Sequence, residues 1–237
     1  MYMEIQEKPV KETTKGLDEM IEAGLHFGHR TSRIHPKMKP YIYGVKNGVH
    51  IIDTEKTRDN LSQALEFIGN LIKEEKILLL IGTKIQFKGL VKDIAQESGI
   101  PYVAKRWLGG TFTNFMTIRK RIEHFKDLKE KREKGELAKY TKKEIAKIEK
   151  EINDLEEKFG GIENMEKIPD AIFVLDMKKD ELAIKEAKRK GVKIVAISDT
   201  NTDPSLADFA IPANDDAISS VSYILNKVKD VIIKNRK

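Results

Sequence analysis

The sequence predicts an α/β protein: an open parallel sheet covered by helices and interrupted by an inserted, antiparallel coiled-coil hairpin. Three observations carry that reading. Short continuous apolar runs recur at 77–81, 171–175 and 194–197, with the length and composition of strands buried on both faces. Amphipathic stretches long enough for helices lie between them, the strand-helix-strand alternation of a parallel sheet. Across 115–159 the alternation stops, and apolar residues recur at spacings of three and four on a highly charged background.

Residues 1–16 read as a flexible tail, and 17–24 as a short amphipathic helix closed by Gly24. Residues 26–40 read as a loop, because prolines and a glycine break any period. That loop gathers His26, His29, His35, Arg30, Arg33, Lys37 and Lys39. Lys46-Asn47-Gly48 between β-favouring runs at 41–45 and 49–52 predicts a hairpin. Asp53 or Thr54 then caps a helix over 55–75, with Leu61, Ala64, Leu65, Ile68, Leu71 and Ile72 on one face.

Strand 77–81 leads through Gly82-Thr83-Lys84 into a helix ending at Ser98-Gly99, and 101–104 is a second strand. Strand 171–175 precedes a helix over 179–190 that stops at Gly191. Strands 194–197 and 209–212 follow, and Asp215 or Asp216 opens a last helix to about residue 233. The insertion divides in two. Phe115, Ile118, Ile122 and Phe125 mark one arm; Ile145, Ile148, Ile152, Leu155 and Phe159 mark the other. Gly135 turns the chain between them, and Thr141 with Glu144 forms a capping box. Each arm is about 30 Å long and, on this reading, buries little except its own seam. The domain expectation is therefore an α/β body over 17–114 and 160–237, with the hairpin at 115–159.

The bulk composition narrows the function. The chain has 237 residues, 35% of them charged, with 44 Lys plus Arg against 38 Asp plus Glu, a formal net charge of +6. That bias permits an anionic partner. No cysteine is present, which removes disulfides, thiolate metal sites and a cysteine nucleophile. No apolar run approaches the roughly 20 residues of a membrane helix, and the polar first 15 residues do not read as a signal peptide, so a cytoplasmic protein is expected.

Enzyme motifs are missing where an α/β fold would carry them. Gly82-Thr83-Lys84 follows a buried strand but lacks the earlier glycine of a Walker loop, and no Gly-x-Gly-x-x-Gly follows any strand. Gly-x-Ser-x-Gly is absent. One metal alternative stays open: His26 with Asp199 or Asp203, completed by His29, His35 or Asp208. Turn hydrogen bonding is the plainer role for those groups.

What remains is a basic, aromatic-interleaved set centred on the stretch 105–115, which holds the only Trp. Arg106 beside Trp107 suits stacking on a base, whereas Trp107 and Phe112 equally suit a core anchor. The first hairpin arm adds Arg119, Lys120, Arg121, Lys126, Lys129, Lys131, Arg132 and Lys134 against four acids. RNA fits better than DNA, since no recognition-helix motif is present.

The residues closely resemble the bacterial small-subunit ribosomal protein S-two family. The resemblance runs through 22–29, 35–41, 47–53, the Arg-Trp-Leu-Gly-Gly-Thr of 106–111 with Thr113-Asn114-Phe115, Thr141-Lys142-Lys143-Glu144, Gly160-Gly161-Ile162, Pro169-Asp170, Asp199-Thr200-Asn201 with Asp203-Pro204, and Ile211-Pro212 with Asn214-Asp215-Asp216-Ala217; Ala213 stands where the family commonly has Gly. It covers nearly the whole chain after Gly16. It implies a Rossmann-like (flavodoxin-like) sheet with a protruding hairpin, no catalysis and no cofactor. It implies a place between head and body of the small ribosomal subunit, bound to ribosomal RNA beside other small-subunit proteins, with the messenger-binding protein S-one among them in lineages that have it. The expected RNA contacts are Arg30, Arg33, Lys37, Lys39, Lys46, Lys105, Arg106, Trp107, Thr111, Asn114, Arg119, Lys120 and Arg121. Ile85 stands where the family often has a basic residue, which weighs against RNA contact by that loop.

Overall fold

The computed structural model describes residues 10–236. In chain order the elements are α1 (Val10–Glu22), β1 (Phe27–Arg30), β2 (Ile42–Lys46), β3 (Val49–Ile52), α2 (Thr54–Lys73), β4 (Leu78–Ile81), α3 (Lys88–Ser98) and β5 (Tyr102–Val103). Then come α4 (Phe115–Glu133), α5 (Lys142–Phe159), β6 (Ala171–Val174), α6 (Glu181–Lys190), β7 (Lys193–Ser198), β8 (Phe209–Pro212) and α7 (Ile218–Asn235).

The main sheet has the order β5-β4-β6-β7-β8, and every pairing is parallel. This is the doubly wound order, and its direction reverses between β4 and β6. Alternation along β4 explains why the run is apolar throughout. Leu78 and Leu80 join a cluster with Leu61 and Ile68 of α2, Val91 of α3 and Ile224 of α7. Leu79 and Ile81 face the other way, into a cluster with α4, α5 and α6. The step from β7 to β8 uses no helix, only a 3-10 turn at Pro204–Leu206.

The second cluster corrects the picture of a hairpin that buries only its own seam. Ile118, Ile122 and Phe125 of α4, with Ile152, Leu155 and Phe159 of α5, are continuous with Ile172 and Val174 of the sheet. Five strands at about 4.8 Å spacing span about 20 Å, and one helix about 10 Å across cannot cover that face. α6 therefore needs company, and the inserted helices supply it. Gly135 turns the chain after α4 with a φ of 71°. The capping box forms: Glu144 Oε2 accepts from Thr141 N at 2.9 Å and from Thr141 Oγ1 at 2.8 Å. Ile145 and Ile148 are half-buried.

A second, three-stranded antiparallel sheet has the order β1-β3-β2. Its hairpin turn is Asn47-Gly48, with φ of 52° and 76°, the left-handed pair that a two-residue turn demands. Residues 27–30 and 36–41 are not loop, contrary to their composition. β1 pairs with β3, and Pro36–Tyr41 forms a 3-10 turn. Nothing local marks β1; its ladder is supplied by a partner twenty residues on. α1 begins at Val10 rather than at 17, so 10–16 are helical, and the tail expected over 1–9 lies outside the described residues. α7 begins at Ile218, and neither Asp215 nor Asp216 caps it. Asn214 Oδ1 accepts from the N–H of Asp216 at 2.9 Å and of Ala217 at 3.2 Å instead.

Candidate functional site

The stretch before α4 is built around a residue that sequence reasoning passed over. Glu186 of α6 is buried, and its carboxylate accepts from Gly110 N (2.7 Å), Phe112 N (2.9 Å), Thr113 N (3.1 Å), Thr113 Oγ1 (3.2 Å) and Trp107 Nε1 (3.3 Å). Burial opposes ionisation, but these donors outweigh it and hold the Glu186 carboxyl below its usual range. The signal was present: Glu186 falls on the inward stripe of α6 with Ala183, Ile184 and Ala187. Trp107 meets Phe112 edge-on, with ring centres 4.8 Å apart. Gly110 takes a φ of 92°, which a side chain would resist. Trp107 and Thr111 are buried, so both shape the loop from inside; Thr111 Oγ1 donates to Leu108 O at 2.6 Å.

The other expected contact residues of this region are exposed. Asn114 precedes α4, and its Oδ1 accepts from Thr117 Oγ1 at 2.8 Å. Lys105 pairs with Glu157 of α5, and Arg119 with Glu123 at 3.1 Å. Arg106, Lys120 and Arg121 make no ion pair among the described residues. Lys120 and Arg121 lie in the first half of α4, whose stripe of Ile118, Ile122 and Phe125 is buried.

Residues 28–37 are held against the end of β7. His29 N donates to Thr200 Oγ1 at 2.9 Å, and His35 N to Thr200 O at 2.8 Å. A Cβ at Gly28 would lie 2.5 Å from Thr200 Cγ2, so only glycine permits this approach. Lys37 pairs with Asp203 at 2.8 Å and donates to Ser205 Oγ at 2.7 Å. Slight burial raises the Asp203 carboxyl, but Lys37 and Ser205 prevail and bring it to about 2. Arg30, Arg33, Lys39 and Lys46 are exposed and make no ion pair among the described residues.

Several polar groups where strands end pair with one another, although the buried Asn201 Oδ1 after β7 has no hydrogen-bond partner among the described residues. Lys84, after β4, reaches Asp176 at 2.8 Å, Asp215 at 2.9 Å and Asp216 at 2.8 Å. Burial opposes its charge, yet the surrounding acids raise its pKa. Asp215 is pushed up to about 7 by burial and by Asp176 and Asp199, against the pull of Lys84. Thr83 Oγ1 donates to buried Asp180 at 2.7 Å. Burial raises Asp180 to about 6 despite those bonds. A phosphate loop needs free donors, and here Thr83 and Lys84 are committed to carboxylates. Gly82 is there for packing: a Cβ would lie 2.5 Å from Leu175 Cδ1.

Of the histidine candidates for metal ligation, His29 rather than His26 lies beside carboxylates. His29 Nδ1 lies 3.1 Å from Asp199 Oδ2, and its Nε2 lies 3.5 Å from Asp216 Oδ2. These three residues offer ligand atoms within 4.8 Å of one another. Their hydrogen bond and ion-pair spacing with Asp199 raises the His29 pKa, against the effect of burial. His26 instead stacks on Phe27, with ring centres 4.0 Å apart. The remaining ligand candidates are engaged elsewhere. Asp203 serves Lys37, and His35 Nδ1 accepts from Lys37 N at 3.3 Å. Asp208 accepts from Lys193 Nζ at 2.8 Å, at the other end of β7.

Arg33 and Lys84 border one depression of about 390 Å³ that Asp176, Asp215 and Asp216 also line. Lys105 and Arg106 follow β5, the neighbour of β4, at the same end of the sheet. Both basic groups thus stand at the carboxyl end of the strands. No described helix is long and apolar enough to cross a membrane.

Residues 20–235 match the profile of the family described as Ribosomal protein S2. Among curated relatives, the "Small ribosomal subunit protein uS2" of Coprothermobacter proteolyticus is 44% identical over 93% of this chain and 82% of the relative. Its counterpart in Chloroflexus aggregans is 45% identical over 92% of both chains. That of Chloroflexus aurantiacus is 46% identical over the same shares. With a match that spans the sheet, both inserted helices and the polar strand ends, the chain belongs to the ribosomal protein S2 family, whose members are structural rather than catalytic.

Proposed function

We propose that this chain is a structural component of the small ribosomal subunit, held by ribosomal RNA between head and body in the cytoplasm, where it helps assembly and translation. One observation carries the reading. Lys84 and Thr83, at the carboxyl end of the sheet, are committed to carboxylates, while Arg30, Arg33, Lys39, Lys46, Arg106, Lys120 and Arg121 are exposed and make no ion pair among the described residues. Exposed cations that make no ion pair suit phosphates. Lys37, Lys105 and Arg119 join this surface with their carboxylate partners alongside, and Asn114 offers an amide. Trp107 and Thr111 set its shape from within.

In this reading residues 115–159 form an antiparallel coiled-coil arm on an α/β body of 17–114 and 160–237. The arm's inner half seals the sheet, and its outer half reaches towards RNA and neighbouring small-subunit proteins. The messenger-binding protein S-one is a neighbour where it exists. Replacing Arg119, Lys120 and Arg121 together by Ala tests the site. Affinity for a small-subunit ribosomal RNA transcript should fall, and the dependence of log K on log salt should flatten by roughly 2–3, from about 0.7–0.9 per lost phosphate contact. Unchanged affinity and slope would remove the α4 root from the contact surface.

A further inference from the structure

The last turn of α6 carries Lys188, Arg189 and Lys190, all exposed, and Lys193 opens β7 just beyond Gly191. None of the three makes an ion pair among the described residues, whereas Lys185 pairs with Glu181 and Lys193 with Asp208. The only acid between Glu181 and Lys193 is Glu186. Its carboxylate is turned inward and spent on the Trp107–Thr113 loop. The one group that would neutralise this turn from within the helix is therefore withdrawn from the surface. Lys188 and Lys193 also wall a shallow cleft of about 270 Å³ with Ser205 and Asp208.

The position matters as much as the charge. β6 and β7 are parallel, so α6 returns the chain, and its last turn lies at the amino end of β7. Lys105 and Arg106, and Arg33 at the rim of the acid-lined depression, lie at the carboxyl end. β7 has six residues, which separates the two surfaces by about 20 Å. The Debye length at physiological salt is about 8 Å. Charges so far apart do not form one small-anion site; a ligand that meets both is an extended polyanion.

We propose that the Lys188–Arg189–Lys190 turn is a second, independent contact for ribosomal RNA phosphates, at the end of the sheet opposite the first. The proposal rests on the ribosomal RNA reading above and extends it to a surface which that reading leaves bare. Cations in a last helical turn also complement the helix dipole. If that were their whole role, removing them would lower stability and leave RNA binding alone.

The test compares three full-length proteins: the unaltered chain, K188A/R189A/K190A, and R119A/K120A/R121A. Each is titrated with a small-subunit ribosomal RNA transcript from 50 to 200 mM KCl, and each is melted. The α6 variant should flatten the salt slope by roughly 2–3, so that the affinity gap to the unaltered chain narrows roughly 16- to 64-fold across that range. An unchanged slope, with or without a lower Tm, overturns the second contact. If the α6 variant alone keeps its slope while the α4 variant loses slope, the first surface stands and the second falls. If neither slope moves, the RNA reading itself has failed.

Discussion

Removing the charge of Glu186 while keeping its shape should loosen the stretch in front of α4. Glu186→Gln retains one carbonyl oxygen but turns an amide NH2 towards donors that a carboxylate oxygen now receives. Oε2 alone accepts from Phe112 N at 2.9 Å and Thr113 N at 3.1 Å, and Oε1 from Gly110 N at 2.7 Å and Trp107 Nε1 at 3.3 Å. Either orientation of the amide faces two donors with a third. Phe112 and Trp107 are buried, so at least one N–H loses its partner away from water. A buried unsatisfied donor costs about 1–3 kcal/mol, and bonds to a charged acceptor contribute about 1.5–3 kcal/mol each. The expected loss for Glu186→Gln is about 2–4 kcal/mol, and Glu186→Ala should be close to it despite the larger change of shape.

Urea unfolding followed by tryptophan fluorescence reads this directly, because Trp107 is the only tryptophan and belongs to the network. The pH dependence supplies a second readout. Glu186 has a folded pKa below its unfolded value, so its contribution is complete above the unfolded pKa, near 4.5. It is lost as pH falls through the folded pKa. The unaltered protein should therefore converge on Glu186→Gln as the pH is taken below 4.5 and through the lowered folded pKa. A Gln variant within about 0.5 kcal/mol of the unaltered protein at pH 7 would refute the argument. Packing of Trp107 on Phe112 would then be what holds the loop.

Two further outcomes follow from the strand ends. Lys84→Met leaves the carboxylates of Asp176 and Asp215 buried without their cation, and chemical unfolding at pH 7 should show a loss of about 3–5 kcal/mol. Adding Asp215→Asn should recover part of it, and a single-variant loss under about 1 kcal/mol would mean the network is solvated. Gly28→Ala drives a methyl against Thr200 Cγ2 and should cost about 1–3 kcal/mol. Thr200→Ser removes that methyl while keeping the oxygen that accepts from His29 N, so the double variant should recover most of the lost Tm; no recovery would place the strain elsewhere.

Some of the polar architecture could be read directly from the letters. Thr141 and Glu144 are three residues apart, and their bonds close within one helical turn. Asn47-Gly48 needs nothing but its own backbone freedom to turn the chain. Asp215 and Asp216 show the opposite case. Their position before an amphipathic run reads as a helix cap, yet both carboxylates reach Lys84, some 130 residues earlier in the chain. A buried cation outcompetes a cap because its alternative is desolvation without a partner. The same competition moves the metal candidates: spacing treats His26 and His29 alike, and only the end of β7 decides that His29 meets Asp199.

By itself the sequence determined the strands of the parallel sheet and the helices between them, the two charged helices between β5 and β6, and the absence of the usual phosphate and nucleophile motifs. Each of these depends on contacts within a few residues, or on which side chains exist at all. The tertiary structure alone decided that Glu186 points inward to tie the Trp107 loop, that α4 and α5 seal a sheet face rather than stand free, and that β1 exists. Those outcomes turn on surfaces brought together from distant parts of the chain. There the cost of leaving a charge, a donor or a sheet face uncovered exceeds any local preference.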